Sequence, residues 1–357
     1  MKKGWEEKKL GEVLKLEYGK PLPKEKRKPN GRYPVYGANG EINRSDDFYF
    51  DKYSIIVGRK GSAGEVNLTE EKFWPLDVTY YAVFDEKKYD LKFFYYLLGH
   101  LEIPKYAKGV KPGINRNEVY SIRIEVPSLK EQQHIVAILD KAFTAIDKAK
   151  ENAERNLNNA RILFNSYLQS VFANPADGWE EKTLDKISDN LDSKRVPITK
   201  SIRRSGIYPY YGASGIVDYV DGYIFHEDLL LISEDGANLV ARTTPIAFSV
   251  SGKIWVNNHA HVLRFDNLIT QKFVELFFAS IKIDKYITGT AQPKLNQAAL
   301  NSIIIPIPPI SVQECIVNKL KALSAETKKL EAIYKQKLAD LEELKKSILE
   351  KAFKGEL

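Results

Sequence analysis

From Leu129 onward the chain changes rhythm. No Gly or Pro interrupts residues 128–174, and apolar positions fall at Ile135, Leu139, Ala142, Ile146, Ala149, Ala153, Ala160, Leu163 and Tyr167. The steps alternate four and three, the seam of a helix that packs along another helix. A second tail repeats the pattern at Ile316, Leu320, Leu323, Thr327, Leu330, Tyr334, Leu341, Leu344 and Ile348. Each seam has one polar interruption, Asn156 in the first and Lys337 in the second. A polar seam position lowers stability and fixes register. At ~1.5 Å per residue each helix reaches roughly 65 Å. Two matched seams in one chain predict pairing with each other. Antiparallel pairing is the easier to connect, because a globular segment lies between the helices.

The segments before each helix follow another pattern. Short apolar runs, Ser54-Ile55-Ile56-Val57 and Leu229-Leu230-Leu231-Ile232, are bounded by Gly and charged residues, as buried strands are. The aromatic stretches Phe93–Leu98 and Phe273–Phe278 predict short helices covering a sheet. The expected fold class is α+β: two tandem mixed α/β domains, each followed by a long helix, with the helices paired as an antiparallel coiled coil. The expected boundaries are 1–128, 129–173, 174–308 and 309–357.

The chain is written twice. Gly4-Trp5-Glu6-Glu7-Lys8 returns as Gly178-Trp179-Glu180-Glu181-Lys182. Tyr33-Pro34-Val35-Tyr36-Gly37-Ala38-Asn39-Gly40 returns as Tyr208-Pro209-Tyr210-Tyr211-Gly212-Ala213-Ser214-Gly215, and Val126-Pro127-Ser128-Leu129 as Ile307-Pro308-Pro309-Ile310. Ser166-Tyr167-Leu168 with Phe172 matches Ser347-Ile348-Leu349 with Phe353. Between these landmarks the copies share almost nothing, which suits one frame carrying two different sets of loops.

Composition narrows the classes. Hydrophobic residues are 43% and charged residues 28%, the balance of a folded globular chain. No apolar run approaches the ~18 residues of a membrane span, and the first residues lack a signal-peptide core. Cys315 is the single cysteine, which rules out an internal disulfide or a cysteine-based zinc cluster. The expected setting is the cytoplasm. A net charge of +7 tilts the balance toward an anionic partner.

The two-domain, two-helix plan resembles the specificity subunit of type I restriction–modification systems. The carriers are the repeated Gly-Trp opening, the Tyr-Pro-x-Tyr-Gly-Ala element, Gly289-Thr290-Ala291-Gln292-Pro293-Lys294-Leu295-Asn296, and the twice-written start of the long helix. That start is Ile305-Pro306-Ile307-Pro308-Pro309-Ile310-Ser311-Val312-Gln313-Glu314, echoed by Val126-Pro127-Ser128-Leu129-Lys130-Glu131-Gln132. The resemblance spans the whole chain. It implies that each domain recognises one half of a split double-stranded DNA site. It also implies that the helices fix the unread gap and dock two methyltransferase subunits, to which restriction subunits are added. S-adenosylmethionine would then belong to those partners, with no cofactor in this chain. Docking is expected on exposed helix faces near Glu131, Gln132, Gln313 and Glu314. One departure is Lys111-Pro112-Gly113-Ile114-Asn115 in the first copy against Gln292-Pro293-Lys294-Leu295-Asn296 in the second.

Candidate DNA contacts follow from side-chain chemistry. Basic loops precede each Tyr-Pro element, with Lys24, Lys26, Arg27 and Lys28 in the first and Lys194, Arg195, Arg203 and Arg204 in the second. Such charges suit phosphates. Base edges call for forked donors and acceptors. Candidates are Asn39, Arg59, Lys60, Lys111, Asn115 and Arg116 in the first domain. In the second they are Ser214, Asn238, Arg242, Gln292, Lys294 and Asn296. Asn115 and Asn296 could equally cap a local turn.

Catalytic readings fail at the sequence level. Gly58-x-x-Gly61-x-x-Gly64 keeps only Gly236 in the second copy, beside Glu234 and Asp235, so a tight turn fits better than a phosphate cradle. His259-x-His261 suits one face of a strand, turned toward DNA, better than a metal pair. The glycine-rich cofactor motif and the Asn/Asp-Pro-Pro-aromatic motif of an adenine methyltransferase are absent. The carboxylates are too scattered for metal-dependent nuclease chemistry. The expectation is no catalytic residue and no metal ligand.

Overall fold

A computed structural model describes residues 4–357. The contacts divide it into two compact units. One holds the residues up to Glu154 together with Gln336–Leu357, and the other holds Arg155–Lys335. Each unit therefore contains one head and part of both long helices.

In the first unit, strand Glu6–Lys9 pairs antiparallel with Arg123–Val126, which ties the head's opening to the foot of the long helix. The main sheet has four antiparallel strands in the order Leu14–Tyr18, Thr79–Phe84, Ser54–Gly58, Val66–Thr69. Ser54–Gly58 is buried along its whole length, as its unbroken apolar run requires. A smaller sheet joins the hairpin Tyr33–Gly37/Gly40–Ser45 to Trp74–Pro75. Helix Leu91–His100 turns Phe93, Phe94, Leu97 and Leu98 into the core. The second head repeats this plan. Glu180–Thr183 pairs with Ile304–Ile307. Its main sheet runs Asp189–Asn190, Ala260–Arg264, Leu229–Ser233, Ala247–Val250, and helix Leu268–Ser280 covers it.

The long helices are Leu129–Ala173 and Ile310–Phe353. They are antiparallel. In the first unit Lys150 pairs with Glu342, and Asp147 with Lys345. In the second, Arg161 pairs with Glu331 at 2.9 Å, and the Lys319 ammonium lies 4.9 Å from the Tyr167 ring centroid. Seam residues Ile135, Leu139, Ile146, Ala153, Ala160 and Leu320 are buried. Leu163, Leu330 and Leu344 are not, contrary to the heptad expectation. The first helix brings alanine to the seam at Ala142, Ala149, Ala153 and Ala160, too short to cover a leucine across a contact of only two helices. Asn156 and Lys337, at the polar interruptions, are exposed.

The helix ends close the heads. Phe172 packs on Phe273 at 5.1 Å between ring centroids, and Phe353 packs on Phe93 at 5.4 Å. Each helix end thus enters a head's core, so the seam accounts for only part of each helix's burial.

Gln132 and Gln313 correct the docking expectation, because both are buried rather than on an exposed face. Gln132 Nε2 donates to Pro127 O at 2.9 Å, and Gln313 Nε2 donates to Pro308 O at 2.8 Å. In each copy the amide clamps the turn from the last strand into the helix. The copies differ at the other amide atom. Gln132 Oε1 accepts from Asp90 N, whereas Gln313 Oε1 has no partner. Helix Leu268–Ser280 starts a turn earlier than its counterpart, so the amide of Gln271, which aligns with Asp90, already donates to Asn267 O. We expect Gln132→Ala to destabilise the first unit by about 1–3 kcal/mol and Gln313→Ala to destabilise the second by clearly less. Denaturant unfolding of the full chain checks this, and equal losses would contradict the clamp argument.

Candidate nucleic-acid interface

Within each head, the corresponding loops are joined by the same hydrogen-bonded frame. In the first, Arg59 N donates to Val78 O at 2.8 Å, Ile114 N to Arg59 O at 3.0 Å, and Gly61 N to Pro112 O at 3.0 Å. In the second, Glu234 N donates to His259 O at 2.9 Å, Leu295 N to Glu234 O at 2.8 Å, and Gly236 N to Pro293 O at 3.0 Å. Gly61 and Gly236 both have positive φ, 84° and 105°, which makes each a turn glycine. Arg59 therefore occupies the backbone position of Glu234, and Lys60 that of Asp235. One frame carries opposite charge in the two heads.

Around Arg59 the first head is aromatic and cationic. The Arg59 guanidinium lies 5.3 Å from the Tyr18 ring centroid and that of Arg116 lies 4.7 Å from it. Arg59 donates through Nε and Nη2 to Asp77 O, and Arg116 through Nη1 to Leu16 O. Tyr80 donates its hydroxyl to Ile114 O. Burial, then the neighbouring Tyr18, pushes the Tyr80 phenol up to about 12, so it keeps its proton and remains a donor.

At the matching place the second head holds an ion-pair network. His261 Nδ1 lies 2.6 Å from Asp192 Oδ2, and its Nε2 lies 2.7 Å from Leu295 O. Arg195 reaches Glu234 at 2.6 Å and Asp192 at 3.5 Å, while Lys294 reaches Glu234 at 3.2 Å. Burial raises the Asp192 and Glu234 carboxyls, but their bonds to His261, Arg195 and Lys294 outweigh it and leave both below the usual range. Ligand-capable atoms of Asp192, Glu234 and His261 lie within 4.8 Å of one another. Arg195 and Lys294 already provide the positive charge there.

The second head therefore corrects the expectation for its histidines. His261 is 1% exposed and points into the head, not toward a ligand surface. His259 sits in the turn before strand Ala260–Arg264, with Nδ1 2.9 Å from an Asp235 oxygen. Alternation along the strand gave the wrong face because Asp192 and the Leu295 carbonyl supply polar partners inside.

The remaining candidates divide by how their polar groups are engaged. Lys24, Lys60, Lys111, Lys194 and Arg204 are exposed and make no ion pair among the described residues. Lys26 and Lys28 are paired to Asp47 and Asp46 across the loop, pairs too exposed to hold those lysines firmly. Arg27 donates twice to Leu22 O. Arg203 bonds Ile198 O and Asp218 and lies 4.3 Å from the Tyr210 ring centroid. Arg242, at a left-handed φ of 52°, donates to Phe278 O and Ile281 O. Asn238 holds the turn through Thr243 and Thr244. Asn115 and Asn296 cap the short helices Arg116–Tyr120 and Gln297–Asn301, the turn-capping alternative. Asn39 and Ser214 are exposed at the tips of equivalent hairpins, and Gln292 is exposed in its loop. Glu314 is exposed and Glu131 half-buried.

Sequence pattern does not single out Tyr18 or Asp192, and marks Glu234 only as an anionic neighbour of Gly236. Aligning the copies at an offset of 174 places Tyr18 opposite Asp192, a signal that was available.

Comparison with known proteins settles the lineage. The family model for the type I restriction modification DNA specificity domain matches residues 2–155 and 176–342. The chain belongs to that family. Its family membership is that of a DNA-specificity subunit with two recognition domains, a recognition and not a catalytic role. A putative type I specificity subunit of Haemophilus influenzae is 39% identical over 148 residues, 42% of this chain and 38% of the relative. The matched stretch thus spans well under half of that relative's length. The EcoDI specificity subunit of Escherichia coli is 24% identical, covering 99% of this chain and 88% of that one. A solved chain described under complex assembly and conformational transition of the type I system aligns over 100% of this specificity subunit and 99% of its own length. Its TM-score is 0.78 at 16% identity, a shared fold. Among the described residues no helix is long and apolar enough to cross a membrane.

Proposed function

We propose that this specificity subunit selects a two-part, asymmetric double-stranded DNA site. The first recognition domain, 1–128, and the second, 174–308, each take one half. The paired helices set the unread gap and dock two methyltransferase subunits, to which restriction subunits are added. S-adenosylmethionine is carried by the methyltransferase partners. The observation that carries this reading is a single fold written twice with opposite charge at the same loop junction, as expected of two heads with different targets.

Support for docking comes from the helices of the second unit, which leave Ile162, Leu163, Leu330 and Ile333 between 41% and 63% exposed. Apolar side chains exposed together on a polar helix pair mark a contact surface. Glu131 and Glu314 are the charged candidates beside the helix starts. Ile333→Asp is expected to weaken co-purification of the methyltransferase at least tenfold, about 1.4 kcal/mol, while far-ultraviolet circular dichroism is unchanged. Retained partner binding would remove this surface from the account.

The whole reading is tested by co-expression with the cognate methyltransferase in a methylation-free host, followed by mapping of modified adenines. One split motif with a fixed gap is the expected result. A bound partner with no modified motif would favour a protein-binding scaffold instead.

A further inference from the structure

The Arg59–Tyr18–Arg116 group in the first head has features that a surface charge pair lacks. Both guanidinia lie against one ring, which is 47% exposed. Each is also anchored to a backbone carbonyl, Asp77 O for Arg59 and Leu16 O for Arg116. Neither has a carboxylate partner among the described residues. The anchors leave donors free. Arg59 uses Nε and one N–H of Nη2, so its Nη1/Nη2 edge remains. Arg116 uses only Nη1, so its Nε/Nη2 edge remains.

A fixed guanidinium with one open two-donor edge is matched by two acceptors lying side by side, as guanine O6 and N7 do. Phosphate binding needs charge but no such fixation. The lysines Lys24, Lys60 and Lys111, exposed and without an ion pair among the described residues, are better suited to it. The second head lacks this arrangement. Glu234 replaces Arg59 and is taken up by Arg195 and Lys294, and Asp192 replaces Tyr18.

We propose that Arg59 and Arg116, held against Tyr18, read guanine in the half-site of the first head, and that the second head reads no base through the equivalent junction. This rests on the DNA-reading function proposed above and adds which residues select a base and which base they select.

The test uses the full chain assembled with its methyltransferase. Wild type, Arg59→Gln and Arg116→Gln are mapped for modified adenines. They are also measured for binding to duplexes in which each guanine of the first half is replaced in turn. Wild type is expected to lose roughly 5- to 150-fold affinity at the contacted guanines, the range for one forked contact. Each variant should lose that discrimination at one position, with the second half of the motif unchanged. The intact second half is the control for folding and assembly, and the binding assay covers a variant too weak to methylate. Three results would overturn the proposal. One is a first half with no specified guanine, and another is a variant with the wild-type motif. The third is equal weakening on every duplex with a shallower salt dependence, which identifies a phosphate contact. Failure of the wild-type complex to give any split motif instead overturns the underlying function.

Discussion

Replacing Asp192 with alanine is expected to destabilise the second recognition head by about 3–5 kcal/mol, the range for removing one partner of a buried ion pair. Asp192 is 6% exposed, Arg195 13% and Glu234 12%. Surface screening therefore does little to soften the loss. The carboxylate has three partners. Oδ2 lies beside His261 Nδ1, Oδ1 accepts from Val262 N at 2.8 Å, and Arg195 sits at 3.5 Å. Alanine leaves His261 Nδ1 and Val262 N short of an acceptor where water has little access, while Arg195 keeps Glu234. Heat or denaturant unfolding should show the second unit melting first, with the first unit unchanged. A loss below about 1 kcal/mol, the range of an exposed pair, would mean that water or Glu234 takes over.

The same network fixes an acid limit. The folded carboxyls of Asp192 and Glu234 lie below their ordinary range, so both bind protons less readily folded than unfolded. Their contribution is complete above the unfolded carboxylate range, about pH 4. It is lost as pH falls through the lower folded values. The stability of the second unit should therefore be insensitive to these groups near neutrality and fall below about pH 4. Asp192→Ala should flatten that fall.

The second large effect is on specificity. Exchanging residues 178–308 for the corresponding head of another family member is expected to replace one half of the modified motif outright. The other half and the gap should be unchanged. The exchange has to respect a shared core. Phe172 lies 5.1 Å from Phe273 and 5.5 Å from Phe277, and Val317 and Leu320 belong to the same buried cluster. Both ring contacts cross a cut point, and Val317 and Leu320 lie beyond the exchanged segment. A donor head without an aromatic at the Phe273 position would leave a cavity costing about 3–5 kcal/mol. With that aromatic kept, mapping of modified adenines decides the matter. A change in both halves, or in neither, would contradict the division of labour between the heads.

Sequence by itself determined the parts whose signal is local and repeated. Heptad spacing with no Gly or Pro fixed the two long helices. Ser54–Val57 and Leu229–Ile232 became the buried central strands, and the aromatic runs became helices on the sheets. Two copies of one pattern carried the two-head architecture and the family.

What only the tertiary structure decided is which polar side chains are free. Arg195 and Lys194 look alike in a basic loop, yet Arg195 faces Glu234, 39 residues on, while Lys194 stays in solvent. Gln132 and Glu131 are neighbours at a helix start, but the step of about 100° between consecutive helical residues turns Gln132 inward onto the Pro127 carbonyl. His261 is polar and buried because Asp192, 69 residues earlier, arrives beside it. A charge or amide is stable inside only when a partner from another strand or loop meets it, at a distance of ångströms that no local pattern encodes. Sequence spacing reports which face an element hides. Tertiary contact decides whether a polar group on that face has been met or is left to bind something else.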